Sequence, residues 1–202
     1  MDPPPPWPGL DVRLFVAIEL GEPVIGEAVA ALRALRTRIA KSNSTARITW
    51  TADENLHVTL SFIGEVGPDR AEAVLGVLRD PIPMAPFPLS LGGVAAFPDL
   101  RRPRVIVLNI DRGQDRVRAL AQTVALRLLG VGVPLEGRDY HPHISLGRVR
   151  HPGGLRMAHL LSEMPQPRTG TTTVEAITLF ESELSSGPPR YRRLLSTRLM
   201  PA

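Results

Sequence analysis

Leu56-His57-Val58-Thr59-Leu60-Ser61-Phe62-Ile63 reads as a β-strand, and its core returns later in the chain as His143-Ile144-Ser145-Leu146. His57-Val58-Thr59-Leu60 and the second tetrapeptide both run histidine, β-branched residue, hydroxyl residue, leucine. Alternate side chains of a strand share a face. His57 and Thr59 therefore face one way, with Val58 and Leu60 facing the other. His143 with Ser145 stands against Ile144 with Leu146 in the same manner. Each strand then buries an apolar face and presents an imidazole beside a hydroxyl. One such tetrapeptide is a weak signal, because a lone histidine in a strand is usually a structural residue. Two copies, each inside a repeated unit, are a much stronger one.

The repeat extends outward from the histidines. A strand over residues 13–20 precedes a helix from about Glu22, with Pro23 suited to its first turn. Ile25, Ala28, Val29, Leu32, Leu35 and Ile39 recur at helical spacing and define its buried face. Residues 41–46 read as a loop, and the His57 strand ends at Gly64. A second helix starts near Pro68 and turns Ala71, Val74, Leu75 and Leu78 inward. Residues 80–88 hold four prolines and form a crossover. The second half then repeats the order: a strand over 104–110, a helix from Gln114 burying Val117, Leu120, Val124 and Leu128, and the His143 strand. A short helix over 155–163 and two strands near 172–181 and 191–199 complete the chain. The opening strands are 91 positions apart and the histidines 86, as two copies of one unit require. The expected fold is α+β and bilobed, with duplicated strand-helix-strand units whose antiparallel sheets surround a central cleft. Residues 1–10 form a flexible proline-rich arm and residues 11–202 a single bilobed domain.

Composition narrows the chemistry. The 202 residues are 43% hydrophobic, enough for a real core. With no cysteine, disulfides, thiolate zinc sites and cysteine nucleophiles are excluded. No apolar run approaches the roughly 18–20 residues that cross a bilayer, and the N-terminus lacks a signal-peptide pattern. A soluble, cytoplasmic, monomeric protein with no obligate protein partner is the expectation. Net charge is +4, and Lys41 is the only lysine among 24 basic residues. Arginine grips phosphate through a planar fork of donors; the same bias also arises from proteome composition.

Two imidazoles beside two hydroxyls suit the opening of a cyclic phosphodiester. That reaction needs a base for water and an acid for the departing ribose oxygen. Histidine, with an unperturbed pKa of about 6.5, fills either role near neutrality. Thr59 and Ser145 can donate to the non-bridging phosphate oxygens. No metal and no cofactor is required.

Here the sequence resembles the 2H phosphoesterase superfamily, specifically its RNA 2′,3′-cyclic phosphodiesterases, once called 2′-5′ RNA ligases. The likeness runs from Arg13 to Leu199. It includes Arg13-Leu14-Phe15-Val16-Ala17-Ile18, Trp50, residues 54–66, Ala96-Phe97-Pro98 before Arg102-Pro103-Arg104-Val105, residues 141–148, and Glu181-Ser182-Glu183-Leu184. The resemblance implies a bilobed fold with both motif strands lining a cleft. It implies hydrolysis of a 2′,3′-cyclic phosphate on RNA ends or cyclic nucleotides to a 2′-phosphomonoester, with His57 as acid and His143 as base. Ser145 replaces the commoner threonine and keeps the hydroxyl. Arg148 matches the family's phosphate- or ribose-contacting arginine. Phe62 matches a base-stacking position, but strict alternation puts it on the Leu60 face, so that role needs a bulge.

The remaining features are blander. His141 shares the alternation of His143, but a His-x-His pair without a third ligand is poor grounds for a metal. His151 and His159 read as surface residues of a loop and a weak helix. Arg101, Arg102 and Arg104 form either a basic rim for RNA or a charged loop. Gly92-Gly93 reads as a turn and lacks the Lys-Ser/Thr of a P-loop, against an ATP-dependent ligase or kinase. Two competitors remain: a 2H enzyme for another cyclic phosphate or a 2′-5′ linked oligonucleotide, and a non-catalytic RNA-end binder.

Overall fold

The computed structural model describes Gly9 and residues 11–134, 139–162, 170–183 and 189–201. The rest of the proline-rich arm lies outside the described residues, as do Glu163 and Leu184. The elements run β1 (Val12–Glu19), α1 (Val24–Lys41), β2 (Arg47–Trp50), a 3-10 turn (Asp53–Asn55), β3 (His57–Val66), α2 (Pro68–Arg79), β4 (Ile82–Pro83), β5 (Phe87–Leu89), β6 (Leu91–Phe97), β7 (Val105–Ile110), α3 (Gln114–Leu129), β8 (His143–His151), α4 (Met157–Ser162), β9 (Thr172–Val174), β10 (Ala176–Glu183) and β11 (Arg190–Met200).

The helices form where the apolar spacing places them. Val24, Ala28, Leu32, Leu35 and Ile39 are the buried residues of α1, which stops where the Ser42 N–H and hydroxyl both donate to the Ile39 carbonyl. Pro68 opens α2, where its missing N–H costs nothing. Val117, Leu120, Ala121, Val124 and Leu128 fill the buried face of α3, which ends at Gly130.

The strands form the order β10-β1-β3-β8-β7-β6, which reads as one three-strand unit and its counterpart. β1 corresponds to β7, β3 to β8, and β10 to β6. Within the sheet the two lobes are joined where Val58 pairs with Ile144, each the residue after a motif histidine. All these pairings are antiparallel; β4 joins the outer edge of β11 in parallel. The helices pack behind the sheet: α3 against β3, α2 against β1 and β11, and α1 against β6. Leu14, Val16 and Ile18 of β1, Val58 and Leu60 of β3, and Ile144 and Leu146 of β8 belong to that rear core. The opposite, front face holds the motif histidines.

Four sequence expectations are corrected. Gly92-Gly93 is not a turn but part of β6, at a register shift against β7 between Leu91 and Val94. An added Cβ on Gly92 would come within 3.3 Å of the Asn109 Cβ, so the glycine serves a close strand approach. Gly64 does not end its strand. It takes φ +83° at a bulge, and β3 pairs with β1 as far as Val66. His151 is the last residue of β8, paired with Arg47, rather than part of a loop. Residues 172–181 are two strands, because β9 leaves to pair with β5 in a separate ribbon while β10 joins β1.

β2 docks on β8 through a tight contact. A Cβ on Gly147 would sit 3.0 Å from both Ile48 Cγ2 and Trp50 Cε3 and 3.2 Å from the Thr49 carbonyl oxygen. We therefore expect Gly147→Ala to cost about 1–3 kcal/mol, as overpacking does. A urea melt reads this directly, and an unchanged midpoint would refute it.

Candidate active site

The two motif histidines are placed by the same local device. His57 Nδ1 lies 2.8 Å from the Asn55 carbonyl and His143 Nδ1 2.6 Å from the His141 carbonyl, in each case two residues back. A carbonyl only accepts, so both Nδ1 atoms carry hydrogen and donate. Nε2 is then the nitrogen of each ring that the backbone leaves unengaged. In the first copy the 3-10 turn before β3 supplies this carbonyl, and Asn55 is itself held by its side-chain N–H donating to the Pro189 carbonyl at 2.8 Å.

The pairing of Val58 with Ile144 fixes what faces what. In an antiparallel ladder that pair sets position 57 opposite 145 and position 59 opposite 143. The two histidines are thus diagonal neighbours on one face, with Thr59 and Ser145 at the other two corners. Such diagonals in a regular ladder lie about 7–8 Å apart. His57 Nε2 and Thr59 Oγ1 are 2.9 Å apart, hydrogen bonded within one motif. Ser145 is exposed, and its backbone carbonyl accepts from Thr51 Oγ1 at 2.8 Å.

Strict alternation would carry Phe62 to the rear, and the structure overturns that. Ala17 pairs Thr59 and Val16 pairs Ser61, which leaves Leu60 as an extra, bulged residue. Val107 pairs Ser145 and Ile106 pairs Gly147, which leaves Leu146 in the same position of the second copy. Each bulge restores the fifth residue after the histidine to the histidine face. Phe62 comes opposite Phe15 and is 58% exposed. Arg148 comes opposite Val105 and is exposed. Phe62 and Arg148 are thus equivalent positions of the two copies, one aromatic and one cationic.

The surroundings of the histidines differ. His57 is enclosed by aromatic rings: Phe15 at 5.0 Å between centroids, and Tyr191 at 5.5 Å edge-on. Phe180 stacks on Phe15 at 5.2 Å and lies 6.4 Å from the His57 ring. A cavity of about 700 Å³ opens beside His57, lined by Glu19, Asn55, Phe180, Tyr191 and Arg193 among others. Among the described residues His143 has one aromatic neighbour, Phe97, edge-on at 5.3 Å, and Phe97 also lies 5.9 Å from the His141 ring.

Charge differs as well. Glu19 pairs with His57 across β1 and β3, whereas Asn109 holds the matching place beside His143. Glu19 is fixed by Thr178 Oγ1 at 2.8 Å and Arg193 Nε at 2.7 Å, both donating. Burial lowers the pKa of both imidazoles from the ordinary 6.5. For His57 the Asn55 carbonyl opposes burial, the His143 charge reinforces it, and the Glu19 carboxylate opposes it more weakly. For His143 the His141 carbonyl opposes burial and the His141 ring adds to it. Burial also raises the Tyr191 phenol, which stays protonated.

The structure therefore gathers His57, Thr59, Phe62, His143, Ser145 and Arg148 on one face. His159 sits apart on α4, and among the described residues no cluster of three or more His, Cys, Asp or Glu could hold a metal. Sequence reasoning did not single out Glu19, Asn109, Phe180 or Tyr191. The Glu19/Asn109 contrast was recoverable, since both lie at the end of the strand that precedes a helix in each copy, Glu19 last in β1 and Asn109 next to last in β7. Phe180 and Tyr191 carried no signal, because they reach the site only when β10 and β11 cross back to the first lobe.

The profile of the family described as LigT like Phosphoesterase matches the chain twice, over residues 25–107 and 109–191. The chain is 29% identical over 197 residues to an RNA 2′,3′-cyclic phosphodiesterase of Methanothermobacter thermautotrophicus, covering 94% of this chain and 100% of that one. It is 33% identical over 171 residues to one of Aeropyrum pernix, covering 84% and 96%. Among solved structures, E. coli LigT complexed with 3′-AMP superposes with a TM-score of 0.67 at 27% identity, covering 94% of this chain and 98% of that one. TT0787 of Thermus thermophilus gives 0.70 at 25% identity, covering 93% and 97%. Two profile matches, one per half, coincide with the internal repeat, and with them the chain belongs to the LigT like phosphoesterase family, a branch of the 2H phosphoesterases.

Proposed function

We propose that this protein hydrolyses RNA 2′,3′-cyclic phosphate ends to 2′-phosphomonoesters by metal-independent catalysis with His57 and His143. The observation that carries this reading is the pair of imidazoles, each with Nδ1–H committed to a backbone carbonyl and Nε2 on a shared face. A protein that only bound RNA ends would not need two rings poised alike. Relatives named RNA 2′,3′-cyclic phosphodiesterase support the substrate.

In the reaction, His143 Nε2 takes a proton from water as the water oxygen bonds to phosphorus. The bond from phosphorus to the 3′ oxygen breaks, and His57 Nε2–H protonates that oxygen. Thr59, Ser145 and Arg148 bind the non-bridging oxygens, where charge sits in the transition state. Thr59 Oγ1 must exchange its hydrogen bond with His57 for one to substrate. Phe62 offers an exposed ring for base stacking. The asymmetry of charge supports this polarity: the carboxylate beside His57 favours its protonated form, and Asn109 gives His143 no such help.

The test is an RNA with a 2′,3′-cyclic phosphate end, incubated with the protein in EDTA. We expect a 2′-monoester. A 3′-monoester, or turnover that requires a divalent ion, would refute the reading.

A second expectation concerns pH. Activity against pH should be bell-shaped, with both limbs drawn below the usual histidine range by burial. Glu19→Gln removes an influence that raises the His57 pKa, so the limb requiring protonated His57 moves to lower pH. In kcat/KM that is the alkaline limb if His57 is the acid. Movement of the acidic limb instead would make His57 the base.

A further inference from the structure

The front face does not end at the phosphate site. Beyond Ser145, β8 continues with Arg148, Arg150 and His151, and β2 lies beside it at the sheet's margin. Thr49 pairs with Arg148 and Arg47 pairs with His151, so Arg47 and Thr49 share the face of Arg148. The register shift between Arg47 and Ile48 leaves Arg150 as an extra residue, and its Nε donates to Thr49 Oγ1 at 3.2 Å, which draws it to the same face. Ile48, Trp50 and Val149 pack to the rear. Arg47, Arg148, Arg150 and His151 are all exposed. Four arginines elsewhere on the molecule pair with acids: Arg33 with Asp53, Arg118 with Asp115, Arg192 with Glu181, Arg193 with Glu19. Among the described residues, Arg47, Arg148 and Arg150 have no carboxylate within ion-pair distance.

Unneutralised guanidinium groups crowded on two adjacent strands repel one another, a cost that an anionic ligand removes. From Ser145 to Arg150 the strand advances roughly 17 Å. That exceeds the reach of one cyclic phosphate and suits a row of them.

We propose that Arg47 and Arg150 form a second binding site, for the phosphodiester backbone of the RNA that lies 5′ of the cyclic end. The inference rests on the phosphodiesterase reading above. The cyclic phosphate occupies the histidine face, and the preceding nucleotides run along β8 toward its far end. Their phosphates pass from Arg148 to Arg150 and Arg47. This makes the protein a processor of RNA termini that discriminates by chain length: a cyclic mononucleotide reaches the histidines but not the second site.

The experiment compares KM and kcat for a 2′,3′-cyclic mononucleotide and for a short oligoribonucleotide with the same end, over a range of salt. The wild-type protein should show a lower, salt-sensitive KM for the oligoribonucleotide. Arg47→Gln/Arg150→Gln should raise that KM about tenfold, and lessen its salt slope by about 1.4 for two single-strand phosphate contacts. It should leave both constants for the mononucleotide unchanged. Arg47→Lys/Arg150→Lys, which keeps the charges, should retain most of the oligoribonucleotide affinity. Equal oligoribonucleotide KM in the wild-type and glutamine variants overturns the second site and leaves the phosphodiesterase reading intact. A parallel loss on both substrates also overturns it, by placing these arginines in the reaction itself. No turnover of either substrate by the wild-type protein sinks the parent reading, and the second site with it.

Discussion

His57→Ala and His143→Ala should each slow opening of a cyclic phosphate by about 10²–10⁴-fold, the usual worth of general acid–base catalysis. The loss should fall on kcat, since neither ring is needed to bind the phosphate. The double variant should be much less impaired than the product of the two single losses, because the histidines act as a unit. Removing one imidazole leaves the other with no complementary step to perform. Both rings stand on strands whose rear faces are fully buried, at Val58 and Ile144, so the variants should fold. Steady-state kinetics on purified variants, with circular dichroism as the control, gives the answer. Near-normal kcat in either variant would remove that histidine from the reaction.

Thr59→Val should cost about 10²–10³-fold in kcat, the range seen when one donor to a transition-state oxyanion is lost. Valine keeps the shape and the β-branch, so the strand is undisturbed. What disappears is the hydroxyl 2.9 Å from His57 Nε2. Its loss acts twice: the phosphate loses a donor, and the ring loses a partner that orients Nε2 between turnovers. Thr59→Ser should restore most of the rate, because serine is what the second copy carries at Ser145. Failure of that rescue would mean the methyl group, not the hydroxyl, matters.

The half of the architecture that repeats was readable because apolar spacing decides it. Val58, Leu60, Ile144 and Leu146 point to the core as alternation requires, and α1, α2 and α3 turn the residues their periodicity selects toward it, most of them buried and Ile25, Val29 and Leu75 half-buried. What escaped was set by long-range pairing. β2 is only four residues, too short for its alternation of Arg47 and Thr49 with Ile48 and Trp50 to mark a strand by itself, and it forms where β8 offers an edge beside Gly147. β6 contains Gly92-Gly93, a local turn signal overridden by pairing with β7. The bulges at Leu60 and Leu146 have no sequence mark of their own. Yet the coincidence of Phe62 and Arg148, each five residues past a histidine, hinted that something brings that position forward in both copies.

The fold's near-symmetry also explains why chemistry must come from its exceptions. Two identical half-sites would not tell water from leaving group. Glu19 against Asn109, an aromatic enclosure against one edge-on ring, and Phe62 against Arg148 separate the two sides. Each difference lies on the front face, while the rear residues of the motif strands are alike in both copies.

The central claim is that His57 delivers a proton to the 3′ oxygen while His143 activates water. A substrate whose bridging 3′ oxygen is replaced by sulfur has a leaving group that departs without protonation, since a thiol's pKa is about 8.5. Turnover of this substrate should be largely restored in His57→Ala and remain depressed in His143→Ala. Restoration in His143→Ala with none in His57→Ala, or full activity of both variants on the natural oxygen substrate, would contradict the account.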